Sequence, residues 1–206
     1  MAVLASGSGT ILEAILGAGV PVVAVLADRP CRALEVAAAA GVAAVLVDRR
    51  HYGGFDKQRF DRAAYTQAVT SALDEVAPDL VAMAGFGTVL DQPVHAAYGG
   101  RILNTHPSLL PAFPGWHAVE DALAAGVAVT GCTVHRATLE LDAGPVIAQA
   151  EVPVRQGDTV ATLHERIKVA ERRLYPATIL AVLAAGGNDD VADEVADVAA
   201  DAGRQR

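Results

Sequence analysis

The chain has 206 residues, a length that suits one α/β domain with a sizeable core, or one domain and a tail. Its formal net charge of −8 argues against binding to nucleic acid or to an anionic membrane, since both depend on a dense basic surface. The two cysteines have no metal-like spacing, the N-terminus has no signal segment, and no apolar run is as long as a membrane helix. We therefore expect a soluble, reduced, cytoplasmic protein.

Strands and helices alternate along the first part of the chain. Apolar runs without alternation predict strands buried on both faces of a parallel sheet, at 2–6, 21–28, 43–48, 78–85 and 101–106. Helices are predicted at 11–18, 31–41, 58–77, 116–125 and 159–185. The strands expected at 127–137 and 145–154 have a short connection, which predicts an antiparallel pair. The expected fold class is α/β, a doubly wound, mostly parallel sheet with an antiparallel C-terminal strand pair.

The end of the chain differs in composition from the rest. Residues 188–206 contain six acidic and two basic residues, which account for −4 of the total charge. Such a composition is typical of a disordered tail. We expect a single domain over residues 1–187, followed by an acidic, disordered tail over 188–206.

A glycine-rich turn, SGSGT, follows the first predicted strand and precedes the first helix. Backbone N–H groups at a helix N-terminus bind phosphate, although an ordinary turn explains the same residues. Gly7 and Gly9 also match the first two glycines of a dinucleotide fingerprint, with Asp28 about 20 residues on. Leu12 stands where the third glycine belongs, which argues against a nicotinamide cofactor.

The stretch ILNTHPSLLPAFPG places Asn104 and His106 at the end of a buried strand. Residues two apart in a strand face the same way, and Pro107 keeps His106 out of a helix. The carboxyl edge of a doubly wound sheet is where ligands bind. Asp142, in the tight connection LDAGP, is a carboxylate that would favour a protonated imidazole. Together these three residues predict a site that stabilises an oxyanion.

Two other chemistries fit these residues less well. Ser108 lies close to His106, but no G-x-S-x-G elbow surrounds it, so a serine nucleophile is not supported. Zinc binding by His106, His135 and Asp142 is chemically conceivable, yet no ligand spacing typical of a zinc site is present.

Several stretches resemble one family in order along residues 2–186. They are LASGSGTIL, DLVAMAGF, ILNTHPSLLPAFPGWHAVEDALAAGVAVTGCTVH, LDAGPVIAQA and HERIKVAERRLYP. The chain is similar in these stretches to the phosphoribosylglycinamide formyltransferases, or GAR transformylases, among the folate-dependent formyltransferases. The resemblance implies a Rossmann-like formyltransferase fold and formyl transfer from 10-formyltetrahydrofolate to GAR in purine biosynthesis. It implies no metal and no NAD, and a monomer or homodimer.

The resemblance also implies a role for particular positions. The catalytic residues would be Asn104, His106 and Asp142. The GAR-binding residues would be Gly9, Thr10 and Ile11 at the 5-phosphate, and Glu171. The folate-binding residues would be Lys57 (or Arg59), Gly87, Thr88, Val89, Leu90 and Asn104, together with the loop 137–142. Many relatives have Ser-Asn in place of Thr10-Ile11, and Met-Arg in place of Gly87-Thr88.

Three alternatives differ from this function in ways that the sequence addresses. A formyltetrahydrofolate hydrolase shares the N-x-H and L-D-x-G-P motifs but usually has an additional N-terminal domain, for which the sequence before Ala2 leaves no room. A methionyl-tRNA formyltransferase would need a basic RNA-binding region, whereas this C-terminus is acidic. A noncatalytic nucleotide-binding module would explain the glycine turn but not Asn104, His106 and Asp142.

Overall fold

The computed structural model of the chain describes residues 1–54, 56, 58–187 and 191–203. The chain divides into two compact units, Met1–Leu103 and Asn104–Arg206.

The first unit contains a parallel sheet. Its strands are β1 (Ala2–Ala5), β2 (Ala24–Ala27), β3 (Ala43–Leu46) and β4 (Val81–Ala84), in the order β3-β2-β1-β4. All neighbours in this order pair in parallel. Strands β1 and β2 are fully buried, as their continuous apolar runs predict. Strand β3 is mostly exposed, because it lies at the edge of the sheet.

Helices follow the strands of this unit. They are α1 (Thr10–Gly17), α2 (Arg32–Ala39), a 3-10 helix (Arg49–Tyr52), α3 (Arg62–Val76) and α4 (Gln92–Tyr98). Helix α3 begins four residues later than predicted, because the Asp61 side chain caps it by accepting a hydrogen bond from the Ala64 N–H at 3.0 Å. Helix α4 was not predicted, although Asp91 followed by a proline in the first turn is typical of a helix start.

The second unit contains the antiparallel pair that the sequence predicts. Strand β5 (Ile102–His106) begins with the last two residues of the first unit. Strands β6 (Val129–Arg136) and β7 (Val146–Pro153) pair in antiparallel fashion, with a register shift between Val134 and His135. Helices α5 (Ala118–Ala124) and α6 (Val160–Ala184) belong to this unit. The side chain and backbone of Thr159 form a capping box with Thr162, which begins α6 at the predicted position.

The sequence predicts a disordered tail, and the structure corrects this expectation over residues 192–203. These residues form helix α7 (Ala192–Gly203). This helix packs against β7 and α6. Val191 and Val195 are only 1% and 2% exposed, so burial of apolar side chains stabilises the segment despite its acidic composition. Residues 188–190 and 204–206 lie outside the described residues.

The fold class expected from the sequence is confirmed. A parallel α/β sheet occupies the first unit, and an antiparallel strand pair with helices occupies the second. Within the described ranges, no helix combines the length and the apolarity needed to cross a membrane.

Candidate active site

The second unit brings the three predicted catalytic residues into one cluster. The His106 Nδ1 atom lies 3.4 Å from the Asp142 Oδ2 atom, within ion-pair distance. The Asn104 amide nitrogen lies 3.2 Å from Nε2 of His135, and the same Nε2 lies 3.8 Å from Asp142 Oδ1. Asn104, His106, His135 and Asp142 thus form a connected group, and the side chains of His106 and Asp142 are only 7% and 4% exposed. We call it the imidazole cluster.

Asp142 is held by an unusual local backbone. Its φ of 55° lies in the left-handed region, which a non-glycine residue rarely adopts. The Gly115 N–H donates a hydrogen bond of 2.8 Å to Asp142 Oδ2 and fixes the carboxylate. Two residues on, a Cβ at Gly144 would overlap the backbone carbonyl oxygen of Arg136, so only glycine fits there. These contacts hold the loop so that Asp142 faces the imidazoles.

His106 has a hydrogen-bond acceptor beside each ring nitrogen. Asp142 faces Nδ1, and Nε2 lies 2.9 Å from the carbonyl oxygen of Phe113. Both ring nitrogens therefore lie beside an oxygen that can accept a hydrogen bond. Phe113 has a φ of 53°, again in the left-handed region. The Ser108 hydroxyl donates to the carbonyl oxygens of Ala112 and Phe113 and holds this loop in place.

His135 belongs to the cluster, although the sequence analysis considered it only as a conceivable zinc ligand. It is 1% exposed, and its position next to the register shift of β6 is not visible in the sequence. Within the described part of the chain, no group of three or more His, Cys, Asp or Glu residues is arranged to hold a metal ion.

Glu171, predicted to contact GAR, is buried on helix α6 with 8% exposure. Burial raises the pKa of its carboxyl to about 7, and interactions with Thr105, Lys168 and Arg172 oppose the shift. This carboxyl therefore changes charge near neutral pH.

The predicted phosphate loop is at the start of helix α1. Gly9 is the N-cap residue with a φ of 73°, and a Cβ there would approach the Ala33 Cα to 3.0 Å. The first intrahelical hydrogen bond runs from the Glu13 N–H to the Gly9 carbonyl oxygen. The N–H groups of Thr10, Ile11 and the next residue therefore precede the helical ladder, as an anion site at a helix N-terminus requires.

The predicted folate segment follows β4, but its polar side chain points inward. Thr88 is 1% exposed, and its hydroxyl donates to Asp28 Oδ2 at 2.8 Å and accepts from Arg49 at 3.0 Å. Leu90 is buried, whereas Gly87 and Val89 are partly exposed. The segment can therefore offer a ligand its backbone and apolar surface, but not the Thr88 hydroxyl.

Two arginines lie near this segment, and the sequence did not indicate that they would be there. Arg29 makes two hydrogen bonds of 3.0 Å with the fully buried Asp28, and its Nη2 atom would lie 3.4 Å from a Cβ at Gly87. Although burial alone would raise the pKa of Asp28, hydrogen bonds from Arg29, Thr88 and Ser6 lower it overall. Arg49 stacks on Phe60, with its guanidinium carbon 4.0 Å from the ring centre.

Lys57, the basic residue expected near the folate, lies outside the described residues. Arg59, named as its substitute, has a side chain that is 82% exposed and lies 3.5 Å from Asp56.

Comparison with known proteins identifies the family of the chain. The family described as Formyl transferase matches residues 1–179. The chain is 48% identical over 191 residues to the phosphoribosylglycinamide formyltransferase of Mycobacterium tuberculosis (strain ATCC 25618 / H37Rv), which covers 90% of this chain and 86% of that protein. It is 39% identical over 191 residues to the Escherichia coli (strain K12) phosphoribosylglycinamide formyltransferase, covering 86% and 84% of the two chains.

A solved structure shows the same relationship in three dimensions. The fold is similar to that of glycinamide ribonucleotide transformylase 1 from Symbiobacterium toebii, with a TM-score of 0.82, 43% identity, and coverage of 90% of this chain and 87% of that one. The resemblance inferred from the sequence motifs is confirmed, and the chain belongs to the formyl transferase family.

Proposed function

We propose that this chain transfers a formyl group from 10-formyltetrahydrofolate to the amine of N1-(5-phosphoribosyl)glycinamide (GAR). The products are N2-formyl-GAR and tetrahydrofolate, in a step of de novo purine biosynthesis. The names of the relatives support this reaction, and the alternatives are not favoured by them. The single structural observation behind the proposal is the buried contact of His106 with Asp142, beside the Asn104 amide.

The chemistry needs stabilisation of negative charge on oxygen. When the neutral amine of GAR attacks the formyl carbon, the formyl oxygen becomes negative in a tetrahedral intermediate. An imidazolium at His106 and an amide N–H at Asn104 are donors that stabilise such charge, and removing one donor of this kind typically costs about 100- to 1000-fold in rate. In this proposal the Asp142 carboxylate, which lies beside His106, pairs with the charged ring.

The Phe113 carbonyl oxygen has a definite place in this mechanism. It accepts the hydrogen bond from Nε2 of His106 in the structure. We propose that the formyl oxygen, as it becomes negative, also accepts a hydrogen bond from Nε2 of His106. It either displaces the Phe113 carbonyl oxygen or accepts alongside it. The proton of the attacking amine then moves towards the leaving N10 atom, with Asp142 assisting through a water molecule.

The remaining acceleration comes from holding two substrates together. We assign the GAR 5-phosphate to Gly9, Thr10 and Ile11, because the start of helix α1 presents N–H groups there. Glu171 is assigned a contact with GAR. We assign the folate to the segment 87–90, Asn104, the loop 137–142 and Lys57. The inward-facing Thr88 implies that this chain binds folate without a contact to that side chain.

The proposal extends to organisation and location. Residues 1–187 would act as one formyltransferase domain, a division supported by the family match over 1–179. The reaction would take place in the cytoplasm, since both cysteines are free thiols, as is usual in a reducing compartment. The reaction would need no metal and no nicotinamide. The enzyme would have no nucleic acid or membrane partner, and it would be a monomer or homodimer.

The test is to incubate the protein with 10-formyltetrahydrofolate, with and without GAR, and to follow tetrahydrofolate release. Release that depends on GAR supports the transferase, release without GAR indicates a hydrolase, and no release in either case refutes both. The variants His106→Ala and Asp142→Ala should each lose at least about 100-fold in kcat. The control is His51→Ala, because His51 is exposed on the 3-10 helix and should leave the rate unchanged.

A further inference from the structure

The protonation state of His135 follows from its backbone contact. Its Nδ1 atom lies 3.0 Å from the carbonyl oxygen of Arg136. A carbonyl oxygen can only accept a hydrogen bond, so Nδ1 must carry a proton. If the ring is neutral, Nε2 is then a bare acceptor.

The acceptor at Nε2 determines the orientation of the Asn104 amide. The Asn104 side-chain nitrogen lies 3.2 Å from this Nε2 atom and can donate one of its two N–H groups to it. The opposite orientation would place the amide oxygen against the lone pair of Nε2, which is repulsive. A neutral His135 therefore fixes which end of the amide is nitrogen and which is oxygen, and leaves the second N–H for another acceptor.

The surroundings of His135 favour the neutral ring. Burial lowers the pKa of His135, the Arg136 carbonyl and Asp142 act in the opposite direction, and the nearby His106 lowers it further. Its charged and titratable neighbours are Asp142, whose Oδ1 lies 3.8 Å from Nε2, and His106. Two buried imidazoles beside one carboxylate disfavour a second positive charge.

The pairing of β6 with β7 is irregular beside this residue. The β6–β7 register shifts between Val134 and His135, so that Val134 is opposite Ala148 whereas His135 is opposite Val146. The additional residue is Ile147 on β7, and a β-bulge of this kind increases the local twist of the strand pair and is common beside active sites. The irregularity gives a structural reason why this imidazole lies against Asn104.

We propose that His135 is a positioning residue for formyl transfer: through its Nδ1–H tautomer it holds the Asn104 amide so that the second amide N–H faces the formyl oxygen. His135 itself does not touch the substrate in this proposal. The inference rests on the proposed function, because it assigns the Asn104 amide to the oxyanion.

Two substitutions separate the acceptor at Nε2 from the donor at Nδ1. In His135→Gln, the side-chain amide reaches the position of Nε2, where its oxygen can accept from Asn104. In His135→Asn, the shorter amide reaches only the position of Nδ1, where it can donate to the Arg136 carbonyl. We expect His135→Asn to lower kcat about 10- to 100-fold while the KM values change less than about 3-fold, and His135→Gln to retain kcat within about 5-fold.

A double-mutant cycle distinguishes positioning from general damage. Once Asn104 is replaced by alanine, His135→Asn should lower kcat less than about 3-fold, because the group that it positions has gone. An equal loss in both backgrounds would overturn the proposal, as would near wild-type kcat for His135→Asn. If wild-type protein shows no formyl transfer to GAR in the same assay, the proposed function fails instead.

A measurement on the wild-type protein avoids any loss of folding in the variants. Two-bond nitrogen–proton NMR correlations report the tautomer of each histidine ring. The proposal predicts a neutral His135 with its proton on Nδ1 at pH 7.5, and a proton on Nε2, alone or together with Nδ1, would overturn it.

Discussion

Ionisation of the buried Glu171 should make the stability of the protein depend on pH. Burial raises the pKa of this carboxyl from 4.5 to about 7. At about 1.4 kcal/mol for each tenfold change in proton affinity, the shift corresponds to about 3 kcal/mol. Because the folded chain binds this proton more tightly than the unfolded chain, the contribution is present below pH 4.5 and is lost as the pH rises to about 7.

The variant Glu171→Gln removes this ionisation and keeps the shape of the side chain. In the folded protein at pH 4.5 both side chains are neutral, so the series begins with the two folded proteins in the same charge state. Between pH 4.5 and pH 8, the free energy of unfolding of the variant should increase by about 3 kcal/mol relative to the wild type. The variant should also raise the KM for GAR, because an amide replaces the carboxylate assigned to contact that substrate.

The assay is urea denaturation of both proteins at a series of pH values from 4.5 to 8, with the free energy of unfolding taken from linear extrapolation. The matched control is Glu165→Gln on the same helix, because that carboxylate is exposed and pairs with Lys168. If the difference in the free energy of unfolding between Glu171→Gln and wild type stays constant across this pH range, the ionisation of Glu171 does not affect stability.

Three further substitutions test other parts of the structure. Thr88→Val removes a hydrogen bond to the buried Asp28 carboxylate and should destabilise the protein by about 1.5 to 3 kcal/mol, measured by urea denaturation. Gly144→Ala forces the loop that holds Asp142 to move, so it should cost about 3 kcal/mol or more and lower kcat. Val195→Asp places a charge where the side chain is 2% exposed on α7, and should cost about 2 to 3 kcal/mol in the same assay.

For each of these substitutions, one experimental outcome would contradict the prediction. A Thr88→Val protein as stable as wild type would show that the inward hydroxyl is unimportant. For Gly144→Ala the control is Gly17→Ala, where a Cβ meets nothing within 4 Å and helix α1 tolerates alanine. Equal effects of the two alanines would refute the steric argument. An unchanged Val195→Asp protein would indicate that α7 adds no stability.

The parallel strands and the shared face of Asn104 and His106 could be predicted because both depend on local patterns. Continuous apolar runs identify doubly buried strands, and Asn104 and His106 share a face by strand geometry alone. The short connection that contains Asp142 likewise predicts the antiparallel pair.

The missed features depend on contacts between distant parts of the chain. His135 lies beside an irregularity in the pairing of β6 with β7, which no residue type specifies. Thr88 turns inward to donate a hydrogen bond to Asp28, which is 60 residues away in sequence. Helix α7 has an acidic composition, yet it is stabilised by packing of Val191 and Val195, which composition alone does not reveal.

We propose that the imidazole cluster stabilises the negative formyl oxygen while the formyl group passes to GAR. The most direct test supplies 10-formyltetrahydrofolate labelled with ¹³C in the formyl group together with GAR, and quantifies labelled formyl-GAR and labelled formate by NMR. We expect one formyl-GAR for every tetrahydrofolate released by the wild type, and loss of this product in His106→Ala. Labelled formate as the main product, or full transfer by His106→Ala, would contradict it.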